Sequence, residues 1–321
     1  MTDRNLVLGI DIGGTKTSFG FVDREGTLIG ATSMPTEAHD SAETFATRLH
    51  HRIEEIREDL LSPHHLCGIG IGAPNANYYR GTIEKAVNLN WGDSVDFVGL
   101  IQRYYDLPVV ITNDAKAAAI GEMIFGNARG MKHFLVITLG TGLGSGIVVD
   151  SRLLYGYSGF AGELGHTVVD PAGRQCECGK RGCLETYVSA TGLARTTLML
   201  LAERCDPSPL RAMSYEEMTA RRIFELAAKG DIIALEAFDR TARILGLKLA
   251  DAVAHTSPEA IFLTGGMAMA GDLLLKPTQQ YMDDSLFGVY RGTVKLMLSG
   301  MEPGKSAILG AAALIWNELA S

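Results

Sequence analysis

The chain has 321 residues, of which 46% are hydrophobic and 21% are charged, and its formal net charge is −8. This length supports a large hydrophobic core and favours a division into two lobes. The negative charge disfavours a nucleic-acid surface, because phosphate backbones are bound by clustered Lys and Arg. Nucleic acid is therefore not expected among the partners.

The cysteines and the apolar segments indicate a cytoplasmic protein. Three of the five cysteines lie within eight residues, and an odd number argues against a disulfide framework. The chain begins without a basic segment followed by an apolar signal core. The longest apolar stretch, residues 134–149, contains four glycines, whereas a membrane span needs roughly 20 apolar residues. No membrane association is expected.

Apolar runs, glycine turns and helical periodicity predict the elements of the first part of the chain. A β-hairpin is expected within residues 6–22, and an amphipathic helix at residues 43–61. Strands are expected at residues 67–71 and 109–112. The second of these leads into residues 115–125, which are rich in helix-forming residues.

The second part begins with a strand, a glycine-rich turn and a strand at residues 134–150. Residues 158–185 are rich in Gly and Cys and show little periodicity. Residues 12–23 align without a gap on residues 139–150, so that Gly13 meets Gly140. This internal similarity suggests two lobes that each begin with a strand–turn–strand unit. Helices are then expected at residues 188–205, 215–229, 232–255 and 306–318, with a strand at residues 260–264.

The first glycine turn has the sequence Asp-Ile-Gly-Gly-Thr-Lys at residues 11–16. Two adjacent glycines let the backbone approach a ligand, and successive N–H groups can bind an anion. A carboxylate beside a phosphate requires a cation, which Mg²⁺ would supply. An ordinary hairpin turn explains the glycines equally well, and the spacing is not that of a Walker A loop. The expected nucleotide-binding residues here are Asp11, Gly13, Gly14, Thr15 and Lys16.

A second glycine turn lies at residues 138–146, where four glycines alternate with other residues. Glycine is costly inside strands, so this density favours close approach of a ligand over a merely flexible turn. Together the two turns would hold the phosphates of a nucleotide across a cleft. Gly265 and Gly266, at the end of a strand, either receive an adenosine or simply end the strand. The nucleotide-binding residues expected in the second turn are Thr138, Gly140, Thr141 and Gly142.

Asp114 lies where a predicted strand ends and a helix begins. As a helix N-cap it would contribute ~1 kcal/mol of stability, and the motif alone favours this interpretation. As a general base it would accept a proton from an attacking hydroxyl, which is worth roughly 10²–10⁴ in rate. The two phosphate-binding turns favour the base, because phosphoryl transfer needs a carboxylate beside the nucleophile.

A histidine and three cysteines within 18 residues match a tetrahedral zinc site of the Cys₃His type. All four positions would be filled, so the metal would be structural; the alternative is three unrelated thiols. Glu163 and Glu185 flank the cluster, and carboxylates accept hydrogen bonds from vicinal sugar hydroxyls. The expected zinc ligands are His166, Cys176, Cys178 and Cys183.

Residues 11–16, 113–114, 163–166 and 176–185 resemble the motifs of the ROK family of bacterial sugar kinases and sugar-responsive repressors. The resemblance implies an α/β, two-lobed, actin-like (ribonuclease H-like) ATPase fold, with ATP and a hexose in a cleft between lobes. It also implies cofactor Mg²⁺ and a structural Zn²⁺. We expect an N-terminal lobe of residues 1–113 and 304–321 and a larger lobe of residues 114–303 that carries the zinc loop.

The resemblance further implies roles for individual residues. Asp114 would be the catalytic base, and one nitrogen of His166 would bind zinc while the other donates to the sugar. Many family members have Asn at the position of Lys116, whose ammonium would lower the pKa of Asp114 or point to solvent. The residues implied to contact sugar hydroxyls are Asn88, Asn113, Asp114, Glu163, His166 and Glu185.

The repressors of the family carry an N-terminal helix-turn-helix segment, whereas this chain begins at its first strand and so resembles the kinases. Residues 72–75 and 77–79 resemble glucokinase segments. We therefore expect phosphorylation of glucose to glucose 6-phosphate by a homodimer. The alternatives are an N-acetylhexosamine kinase, a fructokinase, or a non-catalytic protein that senses a sugar.

Overall fold

Two five-stranded sheets with the same arrangement of strands organise the chain. The computed structural model describes residues 5–60, 65–86 and 88–320. Contacts divide the chain into two compact units. The first consists of Met1–Gly130, Leu153–Ala161 and Gly300–Ser321, and the second of Met131–Arg152 and Gly162–Ser299.

The first unit contains the hairpin and the helices that carry the N-terminal motifs. Its strands are β1 (Asn5–Ile12), β2 (Lys16–Val22), β3 (Leu28–Pro35), β4 (His65–Gly72), β5 (Ala76–Asn77), β6 (Thr82–Glu84), β7 (Ser94–Asp96) and β8 (Val109–Thr112). Its helices are α1 (Ala42–Leu60), α2 (Phe97–Gln102), α3 (Asp114–Phe125) and, at the end of the chain, α9 (Ser306–Leu319).

The main sheet of the first unit has the order β3-β2-β1-β4-β8. Strands β1 and β2 form an antiparallel hairpin, whereas β4 and β8 run parallel to β1. Alternate residues of β1 point to opposite faces: Leu8 packs with Phe45 of α1, and Val7 packs with Ile315 of α9. The sheet is therefore covered on both faces, and the predicted site residues Asp11 and Asn113 lie at the carboxyl ends of β1 and β8.

The second unit repeats this arrangement. Its sheet has the order β11-β10-β9-β12-β13, with an antiparallel β9–β10 hairpin and with β12 and β13 parallel to β9. Its strands are β9 (Phe134–Leu139), β10 (Leu143–Val149), β11 (Arg152–Leu153), β12 (Ala260–Thr264) and β13 (Lys295–Leu298). Its helices are α4 (Glu185–Val188), α5 (Ala190–Glu203), α6 (Ala220–Ala227), α7 (Ile232–Thr256) and α8 (Asp272–Ser285).

The core of the second unit forms where α7 packs against the sheet and its neighbouring helices. Leu135 and Ile137 of β9 are buried together with Phe238, Leu245 and Leu249 of α7. Residues 158–185 contain no strand or helix longer than one 3₁₀ turn, Leu164–His166. This irregular loop, which the lack of periodicity predicted, carries the cysteine motif.

The internal similarity of the sequence corresponds to a shared topology, because both sheets begin with a glycine-turn hairpin followed by parallel strands. Helix α3 lies in the first unit, where it packs on α9, so the units differ in their bounds from the lobes expected at residues 113/114 and 303/304. Within the described residues, no helix is both long and apolar enough to span a membrane.

Candidate active-site residues of the two units

A row of backbone positions crosses the first sheet at the carboxyl ends of its parallel strands. Asp11 of β1 pairs with Gly72 of β4, which pairs with Thr112 of β8. A Cβ atom at Gly72 would lie 3.6 Å from both Asp11 Oδ1 and Asp114 Cα. Gly72 therefore separates the two acids and keeps the space between them open. The carboxyl ends of strands are the usual ligand-binding edge of such sheets.

The start of α3 presents Asp114. Asn113 is the N-cap, and its Oδ1 accepts the Ala115 N–H at 2.9 Å. Asp114 is the first helical residue, and its Oδ1 accepts the same N–H at 2.8 Å. The sequence interpretation of Asp114 as the N-cap is thus wrong by one position, because the extended backbone of Asn113 lets the amide oxygen reach the helix.

The pKa values of both acids are raised. Burial, followed by the charge of Asp114, raises the pKa of Asp11 to about 7. Asp114 as a residue is exposed, but its carboxyl group is surrounded by protein, and this burial raises its pKa, partly offset by hydrogen bonds from the backbone N–H groups of Ala115 and of Asp114 itself. Raised pKa values mean that the ionised forms of these two neighbouring carboxyl groups are disfavoured. A divalent cation bound between them would stabilise the ionised forms.

The glycine turn between β1 and β2 is closed by backbone hydrogen bonds. Gly13 N–H donates to the Lys16 carbonyl at 3.0 Å, and the Thr36 hydroxyl donates to the Gly13 carbonyl at 2.7 Å. Gly14 lies against Asn88, because a Cβ at Gly14 would be 2.8 Å from Asn88 Cβ. Asn88 is exposed at an open depression of about 560 Å³. The first unit thus brings the predicted phosphate turn and one predicted sugar contact together.

The glycine turn between β9 and β10 has the corresponding position in the second unit. Gly140 N–H donates to the Gly142 carbonyl at 3.0 Å, and Thr138 Oγ1 accepts the Gly144 N–H at 3.2 Å. Thr141, at the tip, is exposed. Its backbone carbonyl accepts a hydrogen bond from the Thr191 hydroxyl at 3.1 Å, so the turn is supported by the start of α5.

The predicted zinc ligands converge. The donor atoms of His166, Cys176, Cys178 and Cys183 all lie within 4.8 Å of one another. His166 Nδ1 is 3.7 Å from Cys176 Sγ, and Cys178 Sγ is 3.6 Å from Cys183 Sγ. Tetrahedral zinc with Zn–S bonds of roughly 2.3 Å requires sulfur–sulfur distances of about 3.7 Å. The residues therefore fit zinc, with Nδ1 of His166 on the metal side.

The local backbone explains how this cluster forms. Cys176 N–H donates to the Lys180 carbonyl, and Gly179 N–H donates to the Cys176 carbonyl, which closes a tight turn. Gly182 has φ +74°, and a Cβ there would lie against the Asp170 carbonyl. Burial, followed by hydrogen bonds of the protonated Cys183 thiol with Cys178 and Cys176, raises the pKa of Cys183 to about 12. The pKa of Cys176 is also raised by burial, whereas that of Cys178 is lowered despite burial, chiefly by the backbone N–H of Lys180.

The two flanking glutamates have different environments. Glu163 is exposed and precedes the 3₁₀ turn that carries His166. Glu185 begins α4; its Oε2 accepts the Leu143 N–H at 2.8 Å, and its Oε1 is 4.0 Å from Cys176 Sγ. Glu185 therefore joins the cysteine loop to the β9–β10 turn, a contact that the sequence did not predict.

Gly265 and Gly266 follow β12 beside the second glycine turn. Thr264 pairs with Thr138, and a Cβ at Gly265 would be 2.5 Å from the Leu139 carbonyl. Next to Gly266 is a cavity of about 570 Å³, a size typical of small-molecule sites. The residues that line this cavity are Ala220, Arg221, Phe224, Glu225, Phe238, Gly266, Met267, Met269 and Ala270. Of these, the sequence had indicated only Gly266, since helical periodicity does not show which side chains face a cavity.

Lys116 is buried in α3, with 1% of its surface exposed, and its Nζ donates to the Gly159 carbonyl at 2.9 Å. The expectation that it points to solvent is therefore wrong. The influences that shift the pKa of Asp114 are burial and backbone hydrogen bonds, so the alternative expectation, that Lys116 lowers this pKa, gains no support.

Comparison with known proteins agrees with these motifs. The model of the ROK family matches residues 7–318. The chain is 39% identical to a glucokinase of Halalkalibacterium halodurans, over 88% of this chain and 86% of that protein. The crystal structure of a ROK family glucokinase from Streptomyces griseus, in complex with glucose and AMPPNP, has a TM-score of 0.82 and 33% identity, covering 96% of this chain and 98% of that one.

Transcriptional regulators are similar as well. The structure of a ROK family transcriptional regulator, a homologue of the E. coli MLC protein, has a TM-score of 0.88 and 28% identity, covering 98% of this chain and 78% of that one. The kinases and the regulator thus share one two-lobed, actin-like fold. The chain belongs to the ROK family.

Proposed function

We propose that this ATP-dependent hexose kinase phosphorylates glucose to glucose 6-phosphate, with Asp114 as the catalytic base. The observation that carries the proposal is the position of Asp114 beside Asp11 at the ligand-binding edge of the first sheet. The similarity to glucokinases over most of the chain supports glucose as the acceptor.

In the proposed reaction, the Asp114 carboxylate accepts the proton of the sugar 6-hydroxyl as its oxygen attacks the γ-phosphorus of ATP. The bond from that phosphorus to the bridging oxygen breaks, and ADP leaves. A base whose pKa is raised towards the working pH transfers a proton more effectively than an ordinary aspartate. The carboxylate is held in place by the Ala115 N–H.

The same proposal assigns the hydroxyl-binding residues. In the first unit, the amide nitrogen of Asn113 is available to a sugar hydroxyl because its Oδ1 caps α3, and Asn88 lies beside the first glycine turn. In the second unit, Glu163 and Glu185 would accept hydrogen bonds from sugar hydroxyls. Nε2 of His166 would donate a hydrogen bond to a sugar hydroxyl, since Nδ1 faces the cysteines.

ATP is proposed to use both glycine turns and the cavity beside Gly266. The backbone N–H groups of residues 14–16 and 141–142 would bind phosphate oxygens, since those of Gly13 and Gly140 close the turns. The cavity, with Phe224 and Met269 in its walls, suits a flat, largely apolar adenine ring better than a polyphosphate donor. Asp11 would hold Mg²⁺, which when bound neutralises phosphate charge during transfer.

A structural zinc is proposed on His166, Cys176, Cys178 and Cys183, because their distances and donor types fit it. When bound it would cross-link a loop whose only described regular structure is one 3₁₀ turn, Leu164–His166. A protein with thiolate ligands and ATP as a substrate belongs in the reducing cytoplasm, and we propose that it acts there as a homodimer, the commonest oligomer.

The test compares Asp114→Asn with Asp272→Asn, which also changes the first residue of a helix but lies on an exposed surface. We expect Asp114→Asn to bind glucose in calorimetry while kcat falls roughly 10²–10⁴-fold, and Asp272→Asn to retain activity. Full activity of Asp114→Asn would contradict the assignment of the base.

Two alternatives are separated by a panel of glucose, N-acetylglucosamine, N-acetylmannosamine and fructose. If another sugar has the highest kcat/KM, that sugar and not glucose is the preferred acceptor. The likeness to a transcriptional regulator keeps a non-catalytic sugar sensor as the second candidate. Binding of a sugar without ATP consumption by any member of the panel would favour that candidate.

A further inference from the structure

Thr36, the residue that follows β3, contacts the first glycine turn with two groups. Its hydroxyl donates to the Gly13 carbonyl at 2.7 Å, and its backbone N–H donates to the Thr15 carbonyl at 3.0 Å. The backbone bond continues the ladder between β2 and β3, in which Lys16 pairs with Pro35. The hydroxyl bond is additional, because a ladder is built from backbone groups alone. Thr36 is fully buried, and its hydroxyl is committed to the turn.

The hydroxyl of Thr36 fixes the direction of a backbone N–H group. In a planar trans peptide the C=O of one residue and the N–H of the next point in opposite directions, and the peptides of this turn are trans. The Gly13 carbonyl points to Thr36, so the Gly14 N–H points away from it. By the same geometry, the Thr15 carbonyl directs the Lys16 N–H away from Thr36. Within the residues that the structure describes, nothing accepts a hydrogen bond from the Gly14 N–H, which leaves it available to a phosphate oxygen.

The peptide between Gly13 and Gly14 needs such a support more than most peptides do. Neither residue has a Cβ atom, so few contacts oppose rotation of the peptide between its two Cα atoms. A rotation would exchange the directions of the carbonyl and the N–H, and would present a carbonyl oxygen to the anion. A group that restricts this rotation before the nucleotide arrives reduces the ordering cost of binding.

Thr36 is itself held on its other sides. Its carbonyl accepts a hydrogen bond from Arg48 Nη2 of α1 at 2.8 Å, and Arg48 Nη1 donates to the Pro35 carbonyl at 3.1 Å. The hydroxyl oxygens of Thr17 and Thr36 are 2.9 Å apart. Because the single hydroxyl proton of Thr36 goes to the Gly13 carbonyl, Thr17 is the donor in this pair. Thr36 therefore links α1 to the glycine turn with a defined direction for each hydrogen bond.

The second glycine turn is supported in the same way by residues of its own unit. The Ala190 N–H donates to the Gly140 carbonyl at 2.9 Å, and the Thr191 hydroxyl donates to the Thr141 carbonyl at 3.1 Å. These bonds direct the N–H groups of Thr141 and Gly142, which are also proposed to bind phosphate, away from α5. The support comes from the start of a helix in this unit and from the end of a strand in the first. Each turn thus has its carbonyls held from outside the hairpin that forms it.

We propose that Thr36 is a positioning residue for the nucleotide: its hydroxyl holds the Gly13–Gly14 peptide in the orientation in which the Gly14 N–H donates to a phosphate oxygen. This inference rests on the proposed use of the first glycine turn by ATP. Thr36 acts through the backbone and contacts neither the phosphate nor the hexose. Loss of its hydroxyl should therefore weaken binding of the nucleotide and not of the sugar.

The experiment measures binding of AMPPNP with Mg²⁺, and separately of glucose, by calorimetry on the full-length protein. Thr36→Val keeps the shape of the side chain without the hydroxyl, and we expect it to raise the Kd for AMPPNP about 10-fold. The Kd for glucose should change less than about twofold. Thr36→Ser, which keeps a hydroxyl, should restore AMPPNP binding. The matched control is Thr17→Val, since the buried Thr17 hydroxyl donates to Thr36 rather than to the turn.

A double variant, Thr17→Val with Thr36→Val, separates positioning from stability. Thr36→Val alone leaves the buried Thr17 hydroxyl without its acceptor, so it should lower the melting temperature. Adding Thr17→Val removes that unpaired hydroxyl and should recover stability. The Kd for AMPPNP should nevertheless stay high, because the Gly13 carbonyl still lacks its donor.

Three outcomes would each overturn the proposal: unchanged AMPPNP affinity in folded Thr36→Val, an equal rise of both Kd values, or recovery of AMPPNP affinity together with stability in the double variant. A loss of AMPPNP affinity in Thr17→Val as large as that in Thr36→Val would do so as well. Because binding is measured directly, a protein that binds AMPPNP but phosphorylates no hexose would contradict only the proposed function.

Discussion

Asp11, which is proposed to hold Mg²⁺, should reduce the stability of its own fold at neutral pH. Its pKa is 3.8 in an unfolded chain and about 7 in the fold, chiefly through burial. The folded state thus holds this proton more tightly than the unfolded state. The associated stability is present at low pH and is lost as the pH rises from 3.8 through about 7.

Asp11→Asn should therefore stabilise the protein at pH 8 and have a smaller effect at pH 5. Without nucleotide or Mg²⁺ we expect a gain of about 1–3 kcal/mol at pH 8, a fraction of what the full pKa shift would supply. Calorimetric melting at both pH values measures it, with Asp272→Asn as an exposed control. A gain that is larger at pH 5 than at pH 8 would contradict the role of burial at Asp11.

At the residue scale, the sequence predicted candidate site residues but not all of the contacts that they make. The cysteine motif predicted its own convergence, because its four donors lie close in the chain. The cap is Asn113 and the helix begins at Asp114, one residue earlier than expected, a shift that helix propensity does not resolve. Contacts between distant positions, such as Lys116 with Gly159 and Glu185 with Leu143, have no local signal.

The cysteine loop is the element whose stability should depend most on a metal. Cys178→Ser removes one of four ligands and should lower zinc content from about one per chain, with faster hydrogen exchange in the loop. Cys205→Ser, an exposed cysteine outside the cluster, is the matched control. Elemental analysis and hydrogen exchange measure both outcomes. Protein purified without chelator that contains no zinc would refute the metal assignment.

Among the elements, long periodic segments were predicted closely and irregular ones were not. The 25-residue helix α7 and strand β8 match their predicted ranges within one residue. Helix α8 was missed; it contains Pro277, which normally interrupts a helix. Strand β3, at the sheet edge, contains Gly30 and ends at Pro35, residues that weaken a strand pattern.

The whole molecule repeats one sheet arrangement twice, and the similarity of residues 12–23 to residues 139–150 predicted this. The repeat places Asp11 and Thr138 at corresponding positions, although the turns close differently: Ile12 pairs with Thr17, whereas Leu139 pairs with Leu143. The first carries an acid that shares its edge with Asp114, whereas the second is joined to the cysteine loop through Glu185. The sequence could not define the bounds of the units, because α3 and α9 pack together although some 180 residues separate them.

This difference between the units predicts separable effects on the two substrates. The cavity beside Gly266 lies wholly in the second unit, and Phe224 of α6 forms part of its wall. Phe224→Ala should raise the KM for ATP about 10-fold through loss of ring contacts, and change the KM for glucose less than about twofold. Phe287→Ala, which truncates an exposed phenylalanine of the same unit, is the control and should alter neither value.

The converse substitution is Asn113→Ala in the first unit. It removes the amide proposed to reach a sugar hydroxyl, so it should raise the KM for glucose and not that for ATP. Loss of the α3 cap will also cost ~1 kcal/mol of stability, which melting curves measure separately. Steady-state kinetics in which both substrates are varied distinguishes an effect on the KM for glucose from an effect on the KM for ATP. Equal changes in the two KM values for Phe224→Ala would mean that the cavity does not hold the adenine, whereas a change for ATP alone would support adenine binding in this cavity.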